Sequence, residues 1–199
     1  MRNSYLVTGI AALIVLVGGW YAFNKSSEDV AQVVVNSNQS MNDTKLTLTS
    51  PAFEANTSIP STYTCDENGA LSPALIFIGV PEGTKSFVLI MDDPDVPKSL
   101  KPDGVFDHWT LFNIRPETTG IPEGGTVGTA GANGAGRNSY TGPCPPAQYE
   151  PSEHRYFFKL YALDTMLDLT EGAKKKQVES AMEGHILEQT ELVGKYKRK

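Results

Sequence analysis

Between Lys45 and Leu163 the apolar residues come in short runs, each closed by a loop containing proline or glycine before a helix could propagate. The runs at Lys45–Thr49, Leu75–Val80, Ser86–Met91, His108–Ile114 and Arg155–Leu163 favour β-branched and aromatic residues, and no helical pattern alternates with them. This predicts an antiparallel, mostly β domain. The exception falls near the end of the chain. Val178, Ala181, Met182, His185 and Ile186 recur at helical spacing ahead of Gly194, which predicts one amphipathic C-terminal helix packed on the sheets, with His185 as a packing residue in its apolar stripe. The cationic run from Lys195 to Lys199 then reads as the solvated end of that helix.

The N-terminal part is of another kind. Arg2 precedes an uncharged, mostly apolar stretch from Leu6 to Phe23, near the lower end of the roughly 17 to 25 residues needed to span a bilayer. Residues 1–23 are therefore expected to be a membrane-targeting helix, acting as a signal anchor or a cleavable signal peptide. Val17-Gly18-Gly19 could be processed, but no clear Ala-x-Ala site follows, which favours an uncleaved anchor. In the first case the domain is membrane-anchored outside the cytoplasm, and in the second it is secreted or periplasmic. Residues 24–44 are rich in Asn, Ser, Gln and Asp, apart from Val33-Val34-Val35, and read as a flexible polar linker. The folded domain is expected over residues 45–199. A net charge of −6 and the lack of a basic patch argue against nucleic acid as a partner.

The chemistry gathers at strand ends. Met91-Asp92-Asp93-Pro94-Asp95-Val96-Pro97 closes the apolar run from Ser86, and strict alternation would put Asp93 on the face of Phe87, Leu89 and Met91, with Asp92 beside Val88 and Ile90. The same rule groups His108 with Thr110 and Phe112, opposite Asp107 and Trp109, and groups His154 with Tyr156, Phe158 and Leu160. Between these strands, a glycine-dense stretch over 120–142 leads into Gly142-Pro143-Cys144-Pro145-Pro146, which suits a loop that walls a pocket.

Familiar sites fit poorly. The glycines near Gly131 lack the Gly-Lys-Ser/Thr of a P-loop, and Ser139 lacks a Gly-x-Ser-x-Gly elbow. Cys144 could serve as a thiol nucleophile, but a proline-flanked cysteine in an exported chain suits a structural role better. Asp93, His108 and His154 have suitable metal donors without a local ligand spacing, so no metal and no cofactor is expected. An even count of two cysteines in an exported domain predicts a Cys65–Cys144 disulfide, with free thiols as the alternative.

Taken in order, Asp93-Pro94-Asp95-Val96-Pro97, Asp107-His108-Trp109, Gly142-Pro143-Cys144-Pro145-Pro146 and His154-Arg155-Tyr156 resemble the motifs of the phosphatidylethanolamine-binding protein family, in its prokaryotic YbhB/YbcL, Raf kinase inhibitor-like branch. The resemblance runs from about Lys45 to Tyr196. It implies a Greek-key antiparallel β-sandwich with a C-terminal α-helix. It also implies a small anion-binding pocket lined by Asp93, Pro97, His108, Gly142, Cys144, Pro146, His154 and Tyr156, with Asp95 as structural support. Two imidazoles, a phenol and backbone amides can all donate to phosphate oxygens. The insertion Ala147–Glu153 and Phe106, where eukaryotic members carry tryptophan, depart from the pattern at the pocket rim. The expectation is a non-catalytic, extracytoplasmic protein binding phosphate-like or phospholipid-headgroup anions. The alternatives are an inhibitor of a protease or other enzyme, with a peptidase as a possible partner, or an uncharacterised hydrolase using Asp93 with His108 or His154. Kinase regulation, known for animal relatives, is not expected of an exported domain.

Overall fold

The computed structural model of the protein describes residues 45–67 and 71–198. The anchor expected at 1–23 and the linker at 24–44 lie outside the described residues. The described strands are β1 (Thr47–Thr49), β2 (Leu75–Ile78), β3 (Ser86–Asp93), β4 (Phe106–Ile114), β5 (Gly120–Ile121), β6 (Thr129–Ala130), β7 (Glu153–Leu163) and β8 (Ile186–Lys197), with the helix α1 (Lys175–Met182) between the last two. They form a three-stranded sheet in the order β1-β2-β5 and a five-stranded sheet in the order β6-β4-β3-β7-β8, and every ladder is antiparallel. Among the described residues no helix is long and apolar enough to cross a membrane.

Strand β3 is the middle of the larger sheet, and all its residues are buried. Its two faces serve different layers. Phe87, Leu89 and Met91 join Leu48, Leu75, Phe77 and Ile121 of the smaller sheet in the main core, where the Phe77 and Phe87 rings meet at 5.7 Å. Val88 and Ile90 face the other way, into a second cluster with Phe112, Val178 and Met182, which places α1 on the outer face of the larger sheet. Each such side chain contributes about 1.5–3 kcal/mol by leaving water, which holds β3 in place up to its charged end.

The five strand runs read from the sequence all lie on observed strands, with ends displaced by a few residues. The C-terminal helix requires correction. Only Lys175–Met182 is helical, the turn ends at Gly184 with φ 81°, and the chain finishes as the 12-residue strand β8. The physical reason is the long edge of β7, whose backbone groups need a partner; β8 supplies one from Glu153 opposite Lys197 to Leu163 opposite Ile186. The first half of β8 is largely solvent-exposed, so it carries no apolar alternation that would have marked it as a strand. His185 is also reassigned. Its side chain is 48% exposed and its Nδ1 lies 2.8 Å from Asp164 Oδ1, so it pairs with a carboxylate instead of packing in a stripe. Lys195 and Lys197 are strand residues, paired opposite Arg155 and Glu153.

Candidate functional site

Three strand ends and one loop converge beyond the carboxyl end of β3. Alternation carries Asp93 to the core side, as the sequence suggests, but β4 departs from strict alternation. Met91 pairs with Trp109 and Asp92 with Asp107, so His108 is the extra residue of a β-bulge. The bulge re-aims the imidazole. His108 does not share the face of Thr110 and Phe112; its ring stands edge-on to Phe106 at 4.8 Å and to Tyr156 at 5.2 Å, while Phe112 lies in the cluster under α1. On β7, His154, Tyr156, Phe158 and Leu160 are buried along the core side.

Hydrogen bonds hold both imidazoles by the same atom. His154 Nδ1 donates to Asp93 Oδ2 at 2.7 Å, and Asp93 Oδ1 accepts the Asp95 amide at 2.8 Å. His108 Nδ1 donates to the Thr141 carbonyl at 2.7 Å. Each ring therefore keeps Nε2 for another partner, and the buried His154 Nε2 has none. Burial pushes the His108 pKa below its ordinary value, against the opposing pull of the Thr141 carbonyl and Asp93. His108 is thus neutral near pH 7.

These groups open on a cavity of about 490 Å³. Of the residues implied by the family resemblance, Asp93, His108, Gly142, Cys144, Pro146 and His154 line it. Tyr156 does not; it is fully buried behind His108, its hydroxyl has no partner, and burial keeps the phenol protonated by pushing its pKa well up. Pro97 does not line it either. Its carbonyl accepts the Leu100 and Lys101 amides and so turns the rim loop. Asp95 sits outside, braced by the Arg155 amide and guanidinium, whose hydrogen bonds hold its carboxyl below the usual range despite partial burial.

Val96, Leu100, Lys101, Phe106, Gly134, Thr141 and Pro145 complete the wall; Phe106 is the rim residue noted in the sequence and Gly134, Thr141 and Pro145 belong to the loop read as a wall, whereas Val96, Leu100 and Lys101 were not anticipated. Thr141 acts through its backbone, which side-chain reasoning does not register. Gly134 is required by contact, because a Cβ there would meet the Phe106 ring at 2.8 Å. Lys101 had only its charge as a signal.

The wall itself is cross-linked. The structure joins Cys65 and Cys144 by a disulfide, with Cα atoms 5.4 Å apart, and the Cys65 amide donates to the Pro143 carbonyl. Behind this wall is a larger hollow of about 750 Å³, lined by Cys65, Trp109, Arg137, Tyr140 and Cys144 among others. It contains neither pocket histidine, so the candidate site is the smaller cavity. Among the described residues no group of three or more His, Cys, Asp or Glu is placed to hold a metal ion.

A family model for phosphatidylethanolamine-binding protein matches residues 49–197. A UPF0098 protein of Methanothermobacter thermautotrophicus is 46% identical over 160 residues, covering 77% of this chain and 99% of its own. One of Chlamydia pneumoniae is 43% identical over 152 residues, covering 76% and 98%. Among solved structures, a phosphatidylethanolamine-binding protein homologue from Chlamydia trachomatis superposes with a TM-score of 0.73 at 42% identity, covering 78% of this chain and 99% of that one. YbcL of E. coli, described as a new member of the mammalian PEBP family, gives 0.68 at 26% identity, covering 78% and 100%.

The depressed His108 pKa generates a stability prediction. Below about pH 6.5 the unfolded chain binds a proton at this residue that the folded chain accepts only at lower pH. Stability should therefore fall as pH drops below that value, and the loss should be complete below the folded-state pKa. Urea denaturation of wild type and His108→Gln at pH 7.5 and 5.5 should show a smaller acid-side loss in the variant. Equal losses would contradict the assignment.

Proposed function

Because the chain belongs to the phosphatidylethanolamine-binding protein family, we propose that it is a non-catalytic, extracytoplasmic binding protein whose cavity takes phosphate-like or phospholipid-headgroup anions. The observation that carries this reading is the buried Nε2 of His154, which has no partner although the ring lines the cavity. A buried polar nitrogen costs about 1–3 kcal/mol when left unpaired, and a ligand acceptor would relieve that cost. Asp93 holds the ring of His154 through Nδ1, so Nε2 is the atom left to meet an anionic oxygen. His108 Nε2, with its ring fixed by Thr141, offers a second contact once protonated. An arriving anion stabilises the charged ring, so the imidazole takes a proton from solvent and binding is accompanied by net proton uptake.

The carboxylate in the site does not exclude an anion, since both its oxygens already accept hydrogen bonds, from His154 and from the Asp95 amide. The non-catalytic part of the reading is supported by the wall: Cys144 is bonded to Cys65 and so offers no thiolate nucleophile. For export, the support is the apolar segment after Arg2, together with the disulfide, which suits an oxidising compartment.

Calorimetry with inorganic phosphate and phosphoethanolamine tests the binding. Wild type should bind between millimolar and micromolar, about −4 to −8 kcal/mol, and, for a given ionic form of the ligand, more tightly at pH 6 than at pH 8. His108→Ala and His154→Ala should each weaken binding by about tenfold or more while the domain stays folded. Equal affinity in all three proteins would remove the site. The location is tested separately. Protease added to intact spheroplasts should digest the domain, and digestion only after permeabilisation would place it inside the cell.

A further inference from the structure

Four residues that line the cavity can ionise: Asp93, Lys101, His108 and His154. Asp93 and His154 are engaged with each other, and burial disfavours charge on His108. Lys101 is the remaining cationic side chain of the lining. Its ammonium lies 2.9 and 2.8 Å from the two carboxylate oxygens of Asp103. Both side chains reach solvent, at 34% and 63% exposure, so this pair is readily exchanged. The backbone beneath it is fixed. The Lys101 amide donates to the Pro97 carbonyl at 3.1 Å and the Lys101 carbonyl accepts the Gly104 amide at 2.8 Å, so the side chain can swing while its root stays at the cavity rim.

We propose that Lys101 sets the charge that the cavity accepts, selecting dianionic phosphomonoesters over monoanionic phosphodiesters, with Asp103 as its built-in competitor; this rests on the anion-binding reading above. The argument is one of charge balance. A monoanion can be matched by the imidazoles, whereas a second negative charge in a partly apolar cavity needs a second cation, and Lys101 is the lining residue able to supply it. On binding, the ammonium leaves Asp103 for a phosphate oxygen, and the exposed carboxylate is rehydrated. A free phosphomonoester carries the second charge above its pKa of about 6, but a phospholipid headgroup is a diester and never does. The two sources of the same phosphate chemistry are thereby separated.

The experiment is calorimetry on the full-length protein at about pH 7.5 with phosphoethanolamine and glycerophosphoethanolamine, which share a headgroup and differ by one charge. Wild type should prefer the monoester by about tenfold, and Lys101→Met should remove that preference by weakening the monoester alone. Lys101→Arg should retain it. Asp103→Asn keeps an oxygen for the Val105 amide, removes the competing charge, and should tighten the monoester by about threefold. A preference that survives in Lys101→Met, or a diester that binds wild type as well as the monoester, overturns this inference alone. Failure of wild type to bind either ester overturns the anion-binding reading and this one with it.

Discussion

A strand buried on both faces must neutralise whatever charge it carries at its end, and β3 ends in two adjacent carboxylates, Asp92 at 2% and Asp93 at 3% exposure. Alternation sends them to opposite sides of the sheet. On the outer side, Asp92 Oδ2 accepts Lys159 at 2.9 Å and Lys175 at 2.8 Å. Lys175 opens α1, where the helix dipole disfavours a cation; the ion pair with Asp92 accounts for its position and raises its pKa despite burial. On the inner side, Asp93 takes His154. One short sequence thus anchors the helix to the sheet and orients a histidine of the cavity. Removing His154 would leave the buried Asp93 without its side-chain partner at a cost of roughly 3–5 kcal/mol, whereas Asp92 keeps one lysine when the other is lost.

The site follows from that constraint together with one irregularity. A strictly alternating β4 would have turned the imidazole of His108 toward α1 with Thr110 and Phe112. The bulge opposite Met91 turns it instead between Phe106 and Tyr156, facing the same cavity as His154. Both histidines then spend Nδ1 on protein acceptors and leave Nε2 uncommitted. Burial holds His108 neutral near pH 7, so under the proposed function anion binding would be coupled to proton uptake.

The antiparallel β character and the strand faces that carry Asp93 and His154 were legible because both depend on short-range rules: proline and glycine stops, and a two-residue period along β3 and β7. The family motifs added the expectation of a pocket. What the sequence hid is non-local. The bulge at His108 is a matter of register against β3, with no composition to announce it. Strand β8 was masked by its solvent-exposed first half and by a chance helical spacing that runs past Gly184 to His185 and Ile186. Tyr156, grouped correctly with His154 by alternation, lies behind His108 instead of on the cavity surface, because the bulge brings the imidazole in front of it. Lys101 reaches the cavity only through the fold of its loop.

The central claim is that His108 and His154 meet an anion through Nε2. Nitrogen-15 NMR of the three histidines during titration with inorganic phosphate, near pH 6.5, tests it at the atoms concerned, with exposed His185 as the internal reference. The account predicts that Nε2 of both His108 and His154 moves toward its protonated value as phosphate binds, while Nδ1 of His154 stays protonated against Asp93 and His185 is unchanged. Nε2 resonances of His108 and His154 that do not respond to phosphate, or that move no more than those of His185, would contradict it.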